Sequence, residues 1–571
     1  MKKIILFTLY LIPVVLLIGF VANFSVNVPV DDEWRLASLF EKIAAGNVTF
    51  NDFWALHSNH RILFPKIIIA ILAFASQWNI NYQLCLSIGL AGITFIAMYK
   101  LSSMQVKNVG DDLWHLANIL TCILLFSLVQ HENWLWGFQL AWFLVNLCFV
   151  AAVYALSSNR KFLPNIKISI AALFCFIASF SLAQGLLSWL AAIPAVAALE
   201  EKAVEKRKRL ILWILLFAAT CAVYSIDYHP SRKTSIISLL NKPLVVIDYF
   251  LSLLGSPIVR TPGLSALVGL LIFATFLFLG FHFGRKITEH REALPWLSIG
   301  FFSVLSSLFI TGGRAEFGAI HALESSRYTT NSILLLIALV QLGQVFFRGN
   351  SQKIKATLKL NYKFIYRIVA GLLIGIIIVN SQQAIAQTRA AFLYKQGAQD
   401  CLQLINYLEP SDFFDNSPES CLRVLSKKTW LVREGAAIID KIGWLKFAKN
   451  VEFISNTEKV YGYLDKPQTS DKSLTVKQND AVKAAGWAVW QEKLQQPNIV
   501  LLSLGDKQSF FANAYVNLDS PDIAKSLKSE LYNNARWAVD LSDNNLPIAQ
   551  TEIKAWVYNP VDNQFVQLRG G

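Results

Sequence analysis

The first residues with the types and spacing for chemistry are Val30-Asp31-Asp32-Glu33-Trp34-Arg35, which follow a long apolar segment directly. Three consecutive carboxylates held a few ångströms apart raise one another's pKa. Such a cluster suits a cation or a proton acceptor at a membrane surface, and the plainer reading is a solvated loop start. The run His57-Ser58-Asn59-His60-Arg61 leads into Leu63-Phe64-Pro65-Lys66. Imidazoles and a guanidinium suit a phosphate through charge-assisted bonds and the bidentate Arg fork. The His57/His60 spacing would put both rings on one helical face, but H-x-x-H alone is weak grounds for a metal.

Two later stretches add candidates. In Gln130-His131-Glu132-Asn133-Trp134-Leu135-Trp136 an acid sits at the edge of an apolar run, where a carboxylate is costly without a partner or a task. Trp134 and Trp136 read there as an aromatic belt. Gly312-Gly313-Arg314-Ala315-Glu316-Phe317-Gly318, then His321, Glu324, Arg327 and Tyr328, reads as a glycine-rich turn. Its glycines would let backbone approach an anion held by Arg314, while Glu324 and Arg327 have the spacing of a helical ion pair. The connection 227–262, with Asp227, His229, Arg232, Lys233, Asp248 and Arg260, is either a lid over a lipid headgroup or a plain link.

The elements that must position these residues are membrane helices. Of 571 residues 54% are hydrophobic and 16% charged, with mean hydropathy +0.43, whereas soluble chains carry about 25% charged residues. That excludes a disordered, fibrous or ordinary cytosolic protein. A crossing helix needs about 20 apolar residues, and runs of that kind occupy 4–24, 84–104, 113–130, 134–156, 168–199, 210–226, 263–283, 294–312, 328–347 and 368–386. The 168–199 run would be about 48 Å long as one helix, far more than the hydrocarbon core, so a hairpin turning at Gln184 and Gly185 is one solution. Segment 62–78 is short and contains Pro65 and Lys66, so it either lies in the interface or crosses.

Both solutions give eleven spans, and basic residues choose between them. With 62–78 interfacial and 168–199 a hairpin, Lys100, Lys107, Arg160, Lys161 and Lys167 join the run Lys206 to Arg209 in the cytoplasm. The N-terminus is then cytoplasmic, and the loop after the first span, the 312–328 loop and the C-terminal region face outward across a bacterial plasma membrane. The net charge of +14 is mostly this topology signal, and nucleic acid is not an expected partner.

Residues 391–450 read as a helical extracytoplasmic linker, with Leu393, Ala398, Leu402 and Ile405 on one face. From 451 to 571 short runs such as Gly486 to Trp490, Ile499 to Leu504, Phe510 to Val516, Arg536 to Leu541, Ile553 to Tyr558 and Phe565 to Leu568 predict a β-sandwich. Trp487, Trp490, Trp537 and Trp556 either fill its core or stack on sugar. Five of the seven cysteines fall in spans; Cys401 and Cys421 are the pair that an oxidising compartment would allow to bond.

The acidic cluster in the first outward loop, the interfacial segment, the second acid after the third span, the distal Arg-bearing loop and the trailing soluble domain together resemble the GT-C superfamily. These are polytopic membrane glycosyltransferases that use polyprenyl-phosphate sugars. The resemblance covers residues 1–390 and implies a transferase moving a sugar from such a donor to an extracytoplasmic glycan, lipid or protein. It places the first-loop catalytic acid on Asp31 or Asp32, with Glu33 beside them, and the second acid on Glu132. The contact to the donor phosphate would fall on Arg314 or Arg327, with His57, His60 and Arg61 as further phosphate-side groups although they match no motif of the family. A divalent cation (Mg or Mn) on Asp32 and Glu132 is compatible with it. The rival readings are a transporter or flippase of lipid-linked glycans, and a non-catalytic envelope glycan-assembly protein.

Overall fold

The computed structural model describes residues 2–104, 112–158, 163–199, 202–229, 241–285, 290–349, 362–455, 457–466, 483–490, 496–541 and 552–570. Lys107, Arg160 and Lys161, used above for topology, and Arg232 and Lys233 of the suspected lid lie outside these residues. The chain divides into two compact units: 1–25, 49–76 and 80–388 form one, and 26–48, 77–79 and 389–571 the other.

Among the described residues of this multi-span membrane protein, nine helices are long and apolar enough to cross a membrane: Ile4–Phe24, Ile80–Met104, Asp112–Trp134, Gly137–Ser157, Ala203–Ser225, Leu264–Gly284, Arg291–Phe317, Ser326–Arg348 and Lys363–Gln403. Each overlaps a predicted span. Leu140, Phe143, Val145, Phe149 and Val153 are buried inside the bundle, whereas Ile4, Phe7, Leu11, Val15 and Ile18 stay exposed, as side chains against lipid would. Polar groups within the bundle bond to one another: Ser102 donates to Gln341, Asn118 donates to Ser102, and Gln341 donates to Thr121. Apolar surroundings make such pairing necessary.

The 168–199 run breaks into Pro164–Ser179, a 3-10 turn at Ala183–Leu186, and two short pieces, Leu187–Ala191 and Ile193–Ala197. A Cβ on Gly185 would collide with the Ala178 carbonyl, so the return chain passes at a distance that only glycine permits. The turn therefore falls where the hairpin reading put it. The helix Leu63–Ser76 has 14 residues, about 21 Å, too short to cross the core alone. Lys66 is buried beneath it and donates to the Asp52 and Ala55 carbonyls.

The second unit is built on eight strands: β1 Glu452–Ile454, β2 Gly462–Lys466, β3 Lys483–Ala488, β4 Ile499–Leu504, β5 Ala512–Leu518, β6 Arg536–Asp540, β7 Ile553–Asn559 and β8 Gln564–Gln567. Their order is β1-β8-β7-β4-β5-β6-β3-β2, antiparallel except for β1 beside β8. The six predicted runs are all strands; β1 and β2 are additions. In place of two facing sheets there is one continuous sheet that curls. Leu464 N–H donates to the Arg569 carbonyl and Arg569 N–H to that of Gly462, which ties β2 to the chain two residues beyond β8.

Inside the curl lie Val500, Leu502, Ala514, Trp537, Val539, Ala555 and Val557. Trp537 and Trp556 are buried and fill space in the protein, Trp490 is buried with one side on a cavity, and Trp487 is half-buried against Tyr463. Every residue of β4 is buried, because a helical layer covers its other face. Gly397 lets the end of helix Tyr362–Gln403 press on Ile499 and Tyr515. Cys401 and Cys421 form a disulfide; closing a loop of about 20 residues is worth roughly 3 kcal/mol.

The acidic run after the first span belongs to this second unit. A 3-10 turn, Asp31–Leu36, feeds the helix Ala37–Ala44, which packs on the helix Thr429–Lys441. Trp34 is 2% exposed, lies against Gly435 where a Cβ would collide with its ring, and meets Trp78 edge-on at 5.7 Å. Phe40 packs on Trp78 and Trp444, and Glu41 pairs with Lys441 at 2.7 Å. A Gly435→Leu side chain must displace the Trp34 ring, so it is expected to destabilise this unit by about 1–3 kcal/mol. The readout is the Tm of the purified full chain; an unshifted Tm would mean that the loop does not depend on this seat.

Candidate functional site

In the membrane unit the candidates converge at one end of the bundle. The helix Asp112–Leu125 ends in a turn at Leu128–Gln130, where Val129 N–H donates to Ser127 Oγ, followed by the single helical turn His131–Trp134. Trp134 is fully buried, stacks on Phe143 at 4.4 Å and donates its indole N–H to the Ser127 carbonyl. It is a core pin and not part of an aromatic belt. It holds Glu132 beside the 3-10 turn Ser326–Tyr328.

There the two turns are cross-tied. Arg327 N–H donates to Glu132 Oε2 at 2.8 Å and Glu132 N–H donates to Ser326 Oγ at 3.0 Å. Asn133 Nδ2 donates to the Arg327 carbonyl at 2.8 Å and also to Thr330 Oγ1, which donates to Gln130 Oε1. The Arg327 guanidinium lies 4.0 Å from Glu132 Oε1 and over the rings of Tyr328 and Trp136, at 5.0 and 5.8 Å. The side chains of Glu132 and Arg327 stay about a third exposed, at 33% and 28%.

Arg314 enters from the last turn of Leu294–Arg314 and donates Nε–H to Tyr328 Oη at 3.2 Å. Gly312 and Gly313 are helical with open space around them, and only Gly318 takes a left-handed φ, +76°. The expected glycine-rich turn is thus mostly helix, since two glycines cost a helix about 2 kcal/mol in all, less than the surrounding apolar packing returns. Arg314 and Arg327 both act electrostatically on Tyr249 and Tyr328. Tyr249 Oη lies 3.1 Å from His321 Nδ1.

A third cation was not singled out by the sequence. Arg260, half-buried after the helix Pro243–Gly255, donates Nη2–H to the Val129 carbonyl. Burial lowers its pKa and the Glu132 carboxylate raises it. Arginine stays charged in proteins, so two guanidinium groups, Arg260 and Arg327, act on the Glu132 carboxylate, and Arg314 joins them through the Tyr328 hydroxyl. Nothing in local spacing connects Arg260 or Tyr249 with Glu132, although the suspected lid contained both.

The His57–Arg61 element is a tight hairpin, His57 and His60 exchanging backbone hydrogen bonds with Ser58 at φ +54°. The two imidazoles therefore do not share a helical face. His57 is buried, its ring 4.9 Å from that of Phe138. Arg61 is 1% exposed; Nε donates to the Tyr224 carbonyl, Nη1 to that of Trp54, and the guanidinium covers the Trp54 ring at 4.4 Å.

These contacts bear on the relative topology. If 62–78 crossed and 168–199 were one span, with the other spans as predicted, Glu132 and Arg327 would be separated by an odd number of crossings, as would His57 and Phe138. Both pairs touch, which favours the interfacial segment and the hairpin.

In the second unit the acidic run separates its carboxylates. Glu33 is buried and its Oε2 accepts from Val30 N–H at 2.7 Å, Asp32 pairs with Arg35 at 3.3 Å, and Asp31 is exposed with φ +49°. That backbone state is uncommon for a non-glycine residue and costs about 1–3 kcal/mol. The mutual repulsion expected of three clustered acids is relieved because each carboxylate goes to a different environment. Among the described residues no group of three or more His, Cys, Asp or Glu side chains is placed to hold a metal ion.

No protein-family model matches the sequence, and no curated protein matches it. Among solved structures, the chain is similar to ArnT from Cupriavidus metallidurans bound to undecaprenyl phosphate, at 12% identity and a TM-score of 0.38, over 95% of this chain and 99% of that one. A likeness at that score and identity is too slight to carry an argument about this chain.

The cross-tie separates two roles of Glu132. Glu132→Gln keeps an acceptor for Arg327 N–H and should hold Tm close to the parent. Glu132→Ala removes a charged acceptor and should cost about 1.5–3 kcal/mol, checked by thermal unfolding in detergent. Equal Tm values for the two variants would show that the tie is not structural.

Proposed function

We propose that this protein is a membrane glycosyltransferase of the GT-C type, moving a sugar from a polyprenyl-phosphate donor to an extracytoplasmic glycan, lipid or protein. The observation that carries the reading is the gathering of Arg260 and Arg327 at Glu132, with Arg314 on the neighbouring Tyr328, at one end of the helical bundle. In transfer from a lipid phosphate the leaving group is already a weak base, so it needs charge stabilisation more than a proton. Preorganised guanidinium groups supply that, and loss of one such donor typically costs about 10²- to 10³-fold in rate. The Tyr328 hydroxyl, held by Arg314, and the Arg327 fork present donors to an anion in fixed geometry.

The acceptor hydroxyl must lose a proton as it attacks the anomeric carbon. Asp31 and Asp32 carry that role in the reading taken from the resemblance; of the three acids in the run, they are the ones whose carboxylates are exposed or half-exposed. Glu33, buried and bonded to Val30 N–H, is better suited to shaping the turn. Glu132 keeps Arg327 in place and adds a second carboxylate to the phosphate side. A divalent cation on Asp32 or Glu132 belongs to the same proposal, and the arginines can supply positive charge beside it. The neutral character of the bundle's inner polar groups, such as Ser102, Asn118, Thr121 and Gln341, supports an enzyme working at a membrane surface over a transporter with a charged pathway.

The test is sugar transfer from a radiolabelled polyprenyl-phosphate sugar by membranes carrying the full chain. Arg314→Ala and Arg327→Ala should each lower transfer about 10²-fold or more, and Asp32→Asn or Asp31→Asn about 10²- to 10⁴-fold, with expression and Tm retained. Parent-level transfer in both Asp variants removes their assigned role, and parent-level transfer in both Arg variants removes the phosphate site.

A further inference from the structure

Away from the arginine cluster, the second unit carries a cavity of about 150 Å³ lined by Asp400, Gln403, Trp490, Gln496, Asn498 and Tyr558, with Leu404, Pro497, Ile499, Leu501 and Pro560 completing the wall. One ordered water needs about 10–15 Å³ on the same measure. At about 30 Å³ of liquid volume per water, the space holds roughly five waters, or the ring of one small solute.

Its lining is chemically selective. Asp400, near the end of the long helix, accepts from Asn498 Nδ2 at 2.8 Å, so a carboxylate and an amide are fixed side by side. Gln496 donates to the Val516 carbonyl, while its Oε1 is buried and unpaired among the described residues. An unpaired buried acceptor costs about 1–3 kcal/mol, a cost that a ligand donor would remove. Gln403 adds a fourth carboxyl or amide group from the helix. Among the described residues the polar lining is amides, one acid and the Tyr558 hydroxyl, with no lysine or arginine, a set that suits an uncharged ligand better than an anion. Trp490 and Tyr558 contribute aromatic surface, held by Tyr461 and Phe565 respectively. Planar amide and carboxyl groups that accept from paired hydroxyls, beside aromatic carbon that covers C–H faces, are the chemistry that recognises a neutral sugar.

We propose that this cavity is a binding subsite for one neutral sugar residue of a glycan, built into the second unit and separate from the arginine cluster. It goes beyond the transferase reading and stands or falls independently of it, since no residue is shared.

The experiment uses the full chain in nanodiscs free of glycolipid and of maltoside detergent, with methyl α-glucoside, α-mannoside and α-galactoside as probes in saturation-transfer NMR. At least one glycoside should give saturation transfer in the parent that is lost in Gln403→Trp, a substitution on an exposed helix position whose side chain would fill the cavity. Asn498→Leu should lower the same signal at least fivefold, and Tm within 2 °C of the parent certifies each fold. For scale, a fivefold loss is about 1 kcal/mol. Absence of transfer from all three glycosides, or transfer undiminished in Gln403→Trp, overturns the proposal. Response to methyl glucosaminide alone, a cation, would mark an ammonium site and overturn it as well.

Discussion

A carboxylate placed beside a membrane helix must find a partner, and the Glu132 carboxylate finds the backbone N–H of Arg327, 195 residues away in the chain. The membrane unit's arginine cluster depends on this bond. It brings the turn after the third span against the turn before the tenth, and Ser326, Asn133 and Thr330 complete the tie with neutral hydrogen bonds. Arg327 is thereby presented beside Tyr328, Arg314 is held by the Tyr328 hydroxyl, and Arg260 reaches the same end through the Val129 carbonyl. Three guanidinium groups and one acid leave this end of the bundle with a net positive charge.

The second unit obeys a different constraint. Its sheet is curled far enough to link β2 with Arg569, just beyond β8, which encloses one apolar interior and leaves the outer face of β4 to be covered by helices. The acidic run takes part in this economy of burial, because Trp34 fills the space left open by Gly435. The segment that carries Asp31 and Asp32 is therefore folded with the C-terminal region, although it is joined in sequence to the first membrane helix. A variant affecting the Trp34 seat would disturb the acidic run without touching a carboxylate, so such variants need a fold control before any loss of transfer is read as chemistry.

Much of the architecture was legible in particular residues. Long uncharged runs marked each crossing helix, and Gly185 marked the hairpin. The β-rich runs from Gly486 to Leu568 were strands, and Glu132, Arg314 and Arg327 did come together. Other signals misled for local reasons. Gly312 and Gly313 looked like a turn because glycine usually punctuates, but a helix embedded in apolar packing tolerates them. His57 and His60 have helical spacing, yet Ser58 in a left-handed conformation turns the chain into a hairpin. Trp134 looked interfacial because it adjoins charged residues, while its ring is stacked on Phe143 inside the bundle.

By itself the sequence determined the class of the protein, a multi-span helical membrane region followed by a β-rich domain, because hydropathy and alternation are properties of neighbouring residues. It also bounded the chemistry, since few charged residues are available in a chain that is 16% charged. Only the tertiary structure decided which of them meet. Whether 62–78 crosses is a question of parity on which the His57–Phe138 contact bears, as the Glu132–Arg327 contact does for 168–199. The recruitment of Arg260, the separation of the three acids of the first loop and the cavity around Asp400 all depend on contacts between segments far apart in the chain. Local composition carries no information about such contacts, because their geometry follows from the packing of whole helices and sheets.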